Sequence, residues 1–127
     1  MRRVEDGQRV SHRQPWGVSG LACAALATCA GDRDTPRRVA GEVAAARVEL
    51  AEALGSLAGL RVWPSAANFL LVRTPEGPRL VEALRRRRIA VRPAASFPGL
   101  DESYVRIAVR TRDDNMLLVG ALGELLA

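Results

Sequence analysis

Residues 91–110, VRPAASFPGLDESYVRIAVR, put Arg92 at the end of one apolar run and Arg106 inside another, with a Phe-Pro-Gly loop between them. Arginine is rarely buried without a partner. Its planar fork of N–H donors matches a carboxylate or a phosphate through two parallel hydrogen bonds, so two arginines on neighbouring strand ends could hold one anion. Fourteen residues separate them, enough for a loop that brings the strand ends together. Strand alternation sends Arg106 to the side opposite Val105 and Ile107. Spacing alone also allows a blander reading, and favours it: an arginine facing solvent on an edge strand.

Other chemistry is scarce. All 19 basic residues are arginine and the chain has no lysine, so no Schiff-base amine can come from it. With so much Ala, Gly, Val and Leu, the arginine excess points to a nucleotide-composition bias, and the net charge of +5 is a weak pointer to nucleic acid. Cys23 and Cys29 are six apart in an expected helix, about 240° around its axis, so neither a disulfide nor a metal clip is expected and both thiols are read as buried and structural. The single histidine, His12, leaves zinc without ligands. Arg85 to Arg88 are read as a solvated helix end interacting with the helix dipole rather than a nucleic-acid patch. No phosphate-cradling glycine loop, nucleophile elbow or carboxylate pair is present, so no catalytic and no metal-binding residue is assigned.

The elements that must position the arginines follow from periodicity. Residues 1–13 show no period and are expected to be a loose N-terminal leader. Residues 14–58 form a helical segment. Leu21, Ala24, Ala25 and Thr28 suit one face of a helix ended by Gly31. Asp34 or Thr35 should cap a second helix, with Pro36 in its first turn, running to about Leu57 behind a stripe of Val39, Val43, Ala46, Leu50, Ala53 and Leu54. Within 59–127, strands are expected at Leu60–Trp63, Ala67–Arg73, Ile89–Arg92 and Tyr104–Val109. A helix at Pro78–Arg87 should turn Leu80, Val81 and Leu84 inward, and a last helix from about Asp113 carries Met116, Leu117, Val119, Leu122, Leu125 and Leu126. The expected fold class is α/β in the α+β two-layer sense: a small, mainly antiparallel sheet with helices on one face. No stretch reaches the roughly 18 apolar residues of a membrane span, and no secretory pattern opens the chain, so a cytoplasmic location is expected.

Three stretches carry a resemblance. IAVRPAASFPGLDESYVRIAVR is similar to the C-terminal domain of fold type I pyridoxal-phosphate enzymes, in particular the threonine-phosphate decarboxylases of cobalamin biosynthesis and the histidinol-phosphate aminotransferases. RQPWGVSGLACAAL resembles the same group's Arg-Gln-Pro-Trp-Ser-Val-Asn helix start, and WPSAANFLLVR its Pro-Ser-x-Ala-Asn-Phe-Leu strand. The match spans roughly residues 13–127.

The resemblance implies that Arg106 binds a substrate α-carboxylate and that Arg92 helps to hold the substrate's acidic groups, with Asn68 as a possible further contact. Gly17 and Ser19 replace the family's Ser and Asn. It also implies an amino-acid phosphate as substrate, pyridoxal phosphate as cofactor of the complete enzyme, and either decarboxylation or transamination as the reaction. The cofactor-holding lysine, the aspartate at the pyridine nitrogen and the groups around the cofactor phosphate belong to the family's large domain and have no counterpart here. The chain by itself is therefore expected to bind no cofactor and to catalyse nothing. Residues 59–127 would be a substrate-clamping domain, 14–58 its helical join to the large domain, and the partner that large domain or a second copy of the enzyme. The alternatives are a histidinol-phosphate aminotransferase-like fragment and a non-catalytic interaction domain; no membrane or nucleic-acid partner is expected.

Overall fold

The computed structural model describes residues 17–127. The expected leader, with His12, lies outside the described residues. The chain divides between Pro36 and Arg37 into two units.

In the first, Ser19 starts helix α1 (Gly20–Cys29), its Oγ accepting the Ala22 N–H at 3.2 Å. The expectation of buried thiols is not met: Cys23 and Cys29 are free and exposed. The physical reason is that α1, as described, buries none of its residues, Leu21 being 83% exposed, so apolar composition alone does not bury the thiols. Helix α2 (Asp34–Gly55) already includes both of its expected caps, Asp34 and Thr35, in its first turn. The cap is Asp32, whose Oδ1 accepts the N–H groups of Asp34 and Thr35 at 3.1 and 3.0 Å. Those bonds, Thr35's first, hold the Asp32 carboxyl below the usual aspartate range.

In the second unit the apolar stripe of α2 is covered only towards its C-terminus: Leu50 and Leu54 are buried, while Val39 and Val48 are exposed. Gly59, at φ 82°, then takes the left-handed turn into the sheet. Four strands follow, β1 (Arg61–Val62), β2 (Phe69–Arg73), β3 (Arg92–Pro93) and β4 (Tyr104–Ala108), in the spatial order β1-β2-β4-β3 with every pairing antiparallel. Helices α3 (Gly77–Arg86) and α4 (Arg112–Leu126) cover one face. Leu70, Val72, Val105 and Ile107 point into the core there, against Leu80, Leu84, Leu118 and Leu122. The expected α/β class and antiparallel sheet are what the structure has.

Two local differences from the sequence reading have physical causes. The third strand starts at Arg92 instead of Ile89 because the chain is still ending α3: Arg88 and Ile89 donate their N–H groups to the carbonyls of Arg85 and Leu84, both at 2.9 Å. This closing turn puts Arg88 in the left-handed region at φ 62°, where glycine is favoured. In α4, Met116 and Leu117 are exposed and Leu118 is buried, since one helix face cannot take all the apolar positions. That helix is capped by Thr111, whose Oγ1 accepts the Asp114 N–H at 3.3 Å, and the buried Asn115 side chain bonds both main-chain groups of Arg110. Among the described residues no helix is long and apolar enough to cross a membrane.

The turn at Arg88 has a measurable consequence. Arg88→Gly should stabilise the fold by roughly 0.5–1 kcal/mol, because the left-handed penalty of a side-chain-bearing residue is removed and only part of the gain is lost to unfolded-state entropy. A higher denaturation midpoint with an unchanged slope is the expected result; a lower midpoint would contradict it.

Candidate functional site

The sheet face away from the helices carries Phe69, Leu71 and Arg73 of β2 and Tyr104 and Arg106 of β4, by alternation with the buried Leu70, Val72, Val105 and Ile107. In the ladder Arg92 stands directly opposite Arg106, and Leu71 flanks Arg106 on the other side. The structure thus brings the two arginines singled out by sequence together as register partners. Arg106 is half-buried and Arg92 exposed.

Each guanidinium lies over an aromatic ring. Arg106 Cζ is 5.0 Å from the Phe69 ring centroid and Arg92 Cζ is 5.2 Å from that of Phe97. Such cation–π contacts orient a guanidinium and leave its N–H donors without an acceptor. Among the described residues neither arginine has an ion-pair or side-chain hydrogen-bond partner. Like charges directly opposite each other on an antiparallel pair are destabilising, and an anion between them would relieve that repulsion.

Phe97 is placed by a compact loop. Ala94 N–H bonds the Tyr104 carbonyl at 2.9 Å, Phe97 N–H the Ala94 carbonyl at 3.0 Å, and Leu100 N–H the Phe97 carbonyl at 3.1 Å, with Gly99 left-handed at φ 83°. The start of β4 is fixed by Asp101, whose Oδ1 accepts the Ser103 N–H at 2.8 Å and the Ser103 hydroxyl. The Ser103 hydroxyl, then its N–H, hold the Asp101 carboxyl below its ordinary range.

Asn68 is exposed and does not join the arginine pair: its main-chain oxygen accepts the Val109 N–H at 2.9 Å, and its side chain makes no hydrogen bond to a described residue. The turn before it is pinned by Ser65, whose hydroxyl donates to the Phe69 carbonyl at 2.7 Å and accepts the Ala67 N–H at 3.0 Å. That turn sets the ring under Arg106. Sequence reading missed both stacking rings and a second cross-strand pair, Arg61 and Arg73. Arg61 lies 4.6 Å over Trp63 and Arg73 lies 5.7 Å over Tyr104. Alternation within FLLVR could have shown that Phe69, Leu71 and Arg73 share a face; nothing local shows which arginine each ring meets. Arg110 is a surface residue at the start of α4, its Nε 3.1 Å from Asp114 Oδ2.

Among the described residues no group of histidine, cysteine, aspartate and glutamate could hold a metal ion. The lysine-free sequence likewise has no side-chain amine for a covalent link to an aldehyde cofactor, so its side chains do not fit that role.

No family profile matches the chain. It is 34% identical over 110 residues to histidinol-phosphate aminotransferase 2 of Burkholderia pseudomallei, which covers 87% of this chain and 31% of that protein. Its fold is similar to that of histidinol-phosphate aminotransferase from Clostridium acetobutylicum, with a TM-score of 0.79 at 26% identity over 94% of this chain and 36% of that one. It is also similar to L-threonine-O-3-phosphate decarboxylase from Porphyromonas gingivalis, with a TM-score of 0.75 at 30% identity over 94% of this chain and 38% of that one. The chain therefore spans about a third of the length of the relatives it matches, and enzymes of that group use pyridoxal phosphate. In sequence and fold the chain is similar to about a third of a histidinol-phosphate aminotransferase or a threonine-phosphate decarboxylase, both fold type I pyridoxal-phosphate enzymes.

Proposed function

We propose that this chain is the substrate-clamping part of a pyridoxal-phosphate enzyme acting on a phosphorylated amino acid, with Arg106 holding the carboxylate and Arg92 sharing the acid groups. The observation that carries this reading is the Arg92–Arg106 register pair on an open sheet face, each guanidinium backed by a ring and neither paired with a carboxylate among the described residues. Residues 59–127 act as the clamp and 14–58 as the helical join. The cofactor-bearing part, including the lysine that this chain does not have, comes from outside it.

The residues of this chain bind and orient; the electron sink belongs to the cofactor when it is bound elsewhere in the enzyme. Arg106 is held from below by Phe69 and from the side by its strand, so its fork meets a carboxylate in one orientation. Asn68, one residue before Phe69, is the nearest candidate in sequence for a further polar contact with substrate. A firm grip on a carboxylate suits transamination directly. In decarboxylation the same grip must act by orienting the group, since ground-state binding of a departing group gives no acceleration by itself.

Titration of the chain with O-phospho-L-threonine, followed through the arginine Nε–H resonances, tests the reading. Saturable shifts confined to Arg92 and Arg106 are expected. Shifts spread evenly over the arginines, or no saturation in the millimolar range, would remove it.

A further inference from the structure

On the helix-covered side, at the end of β4, lies a cleft of about 320 Å³ that neither Arg92 nor Arg106 lines. That volume is at the lower end of small-molecule pockets, roughly 300–1,000 Å³. Its lining is mixed: apolar side chains of Ile89, Val91, Ile107, Leu117 and Leu118 stand beside the polar groups of Arg88, Arg110, Asp114 and Asn115. Ala90 and Val91, between α3 and β3, join no ladder and line the cleft beside residues of the first turns of α4. Leu117, on its wall, is left 64% exposed.

Most of the polar groups are already engaged. Asn115 bonds both main-chain groups of Arg110, and the Arg110 guanidinium is paired with Asp114 at 3.1 Å. Arg88 is different. Its guanidinium has no ion pair or hydrogen bond with any described residue, and its backbone is held at φ 62°, where glycine would be better tolerated. Arg88 is exposed at the rim of a cleft with a mixed lining, and an unpaired cation beside apolar side chains, kept at a conformational cost, fits a ligand with one negative end and an apolar body. The Asp114 carboxylate, also in the lining, disfavours a second negative charge.

We propose that this cleft binds a small monocarboxylate with an apolar body, its carboxylate on Arg88 and its body against Val91, Ile107, Leu117 and Leu118. The site is separate from the arginine pair and does not depend on the function proposed for it.

The test uses the full chain and hexanoate, with hexanol and inorganic phosphate as comparison probes, read by methyl resonances of Val91, Ile107 and Leu118. Saturable shifts with hexanoate are expected, with hexanol and phosphate each binding at least about tenfold more weakly, the scale of a lost charged hydrogen bond. Arg88→Gly should weaken hexanoate by a similar factor without lowering the melting temperature, so that failure to fold cannot imitate the result. Arg86→Ala removes the same charge two residues away, outside the cleft lining, and should leave binding unchanged. The proposal is overturned if hexanoate does not saturate, if hexanol binds as tightly, if Arg88→Gly binds normally, or if Arg86→Ala weakens binding equally.

Discussion

Arg106→Gln is expected to weaken binding of O-phospho-L-threonine by roughly ten- to a hundredfold while leaving the fold intact. A hydrogen bond to a charged group contributes about 1.5–3 kcal/mol, and glutamine has neither the charge nor the paired donors of the guanidinium fork. Arg106 should show the larger effect of the two because it is half-buried and backed by Phe69 at 5.0 Å. Arg92 is exposed, so solvent screening makes Arg92→Gln the milder change. Phe69→Leu keeps the charge and removes the ring; it should cost affinity by less than Arg106→Gln, through looser positioning. Because the two arginines face each other in the ladder, their substitutions should not be additive. Isothermal titration of the unsubstituted chain, the three single variants and the Arg92→Gln/Arg106→Gln double variant measures all of this, and unchanged affinity in Arg106→Gln would end the carboxylate assignment.

The second large effect concerns stability. Gly77→Ala should destabilise the chain by about 3 kcal/mol or more, at the upper end of the cost of overpacking. A Cβ at this position would lie 2.0 Å from the Glu102 carbonyl oxygen and 3.1 Å from its carbon. These are backbone atoms and cannot rotate away. The strand start is also tied on both sides, by the Thr74 N–H bond to the Ser103 carbonyl at 2.8 Å and by the Asp101 contacts to Ser103. Relieving the overlap therefore means moving the segment that leads into β4, or tilting α3 away from Leu80 and Leu84 in the core. Urea denaturation should show the loss in midpoint. A change below about 1 kcal/mol would mean that the loop yields easily, contrary to this packing.

Much of the element order was legible in sequence. The two-residue alternation of YVRIA and FLLVR and the helical spacing of Leu80 and Leu84 each have a single good solution, a half-buried strand or a one-sided helix. The third strand was misplaced by three residues because apolar content marks Ile89 to Val91, whereas the hydrogen bonds that end α3 hold Ile89 back. The cysteines of α1 were misread for a related reason: an apolar composition does not by itself say which face of a helix is covered, and both thiols are exposed.

By itself the sequence determined the absence of a lysine amine, the types and order of the elements, and the side of β4 on which Arg106 projects. These depend on composition and on short periodicities, which act within a few residues. Only the tertiary structure decided that Arg92 is the ladder partner of Arg106, that Phe69, 37 residues earlier, carries its guanidinium, and that Gly77 must leave room for Glu102. Those are choices of register and close approach between distant segments. They are set by how the whole sheet pairs and how α3 and α4 pack upon it, which no local stretch of residues specifies.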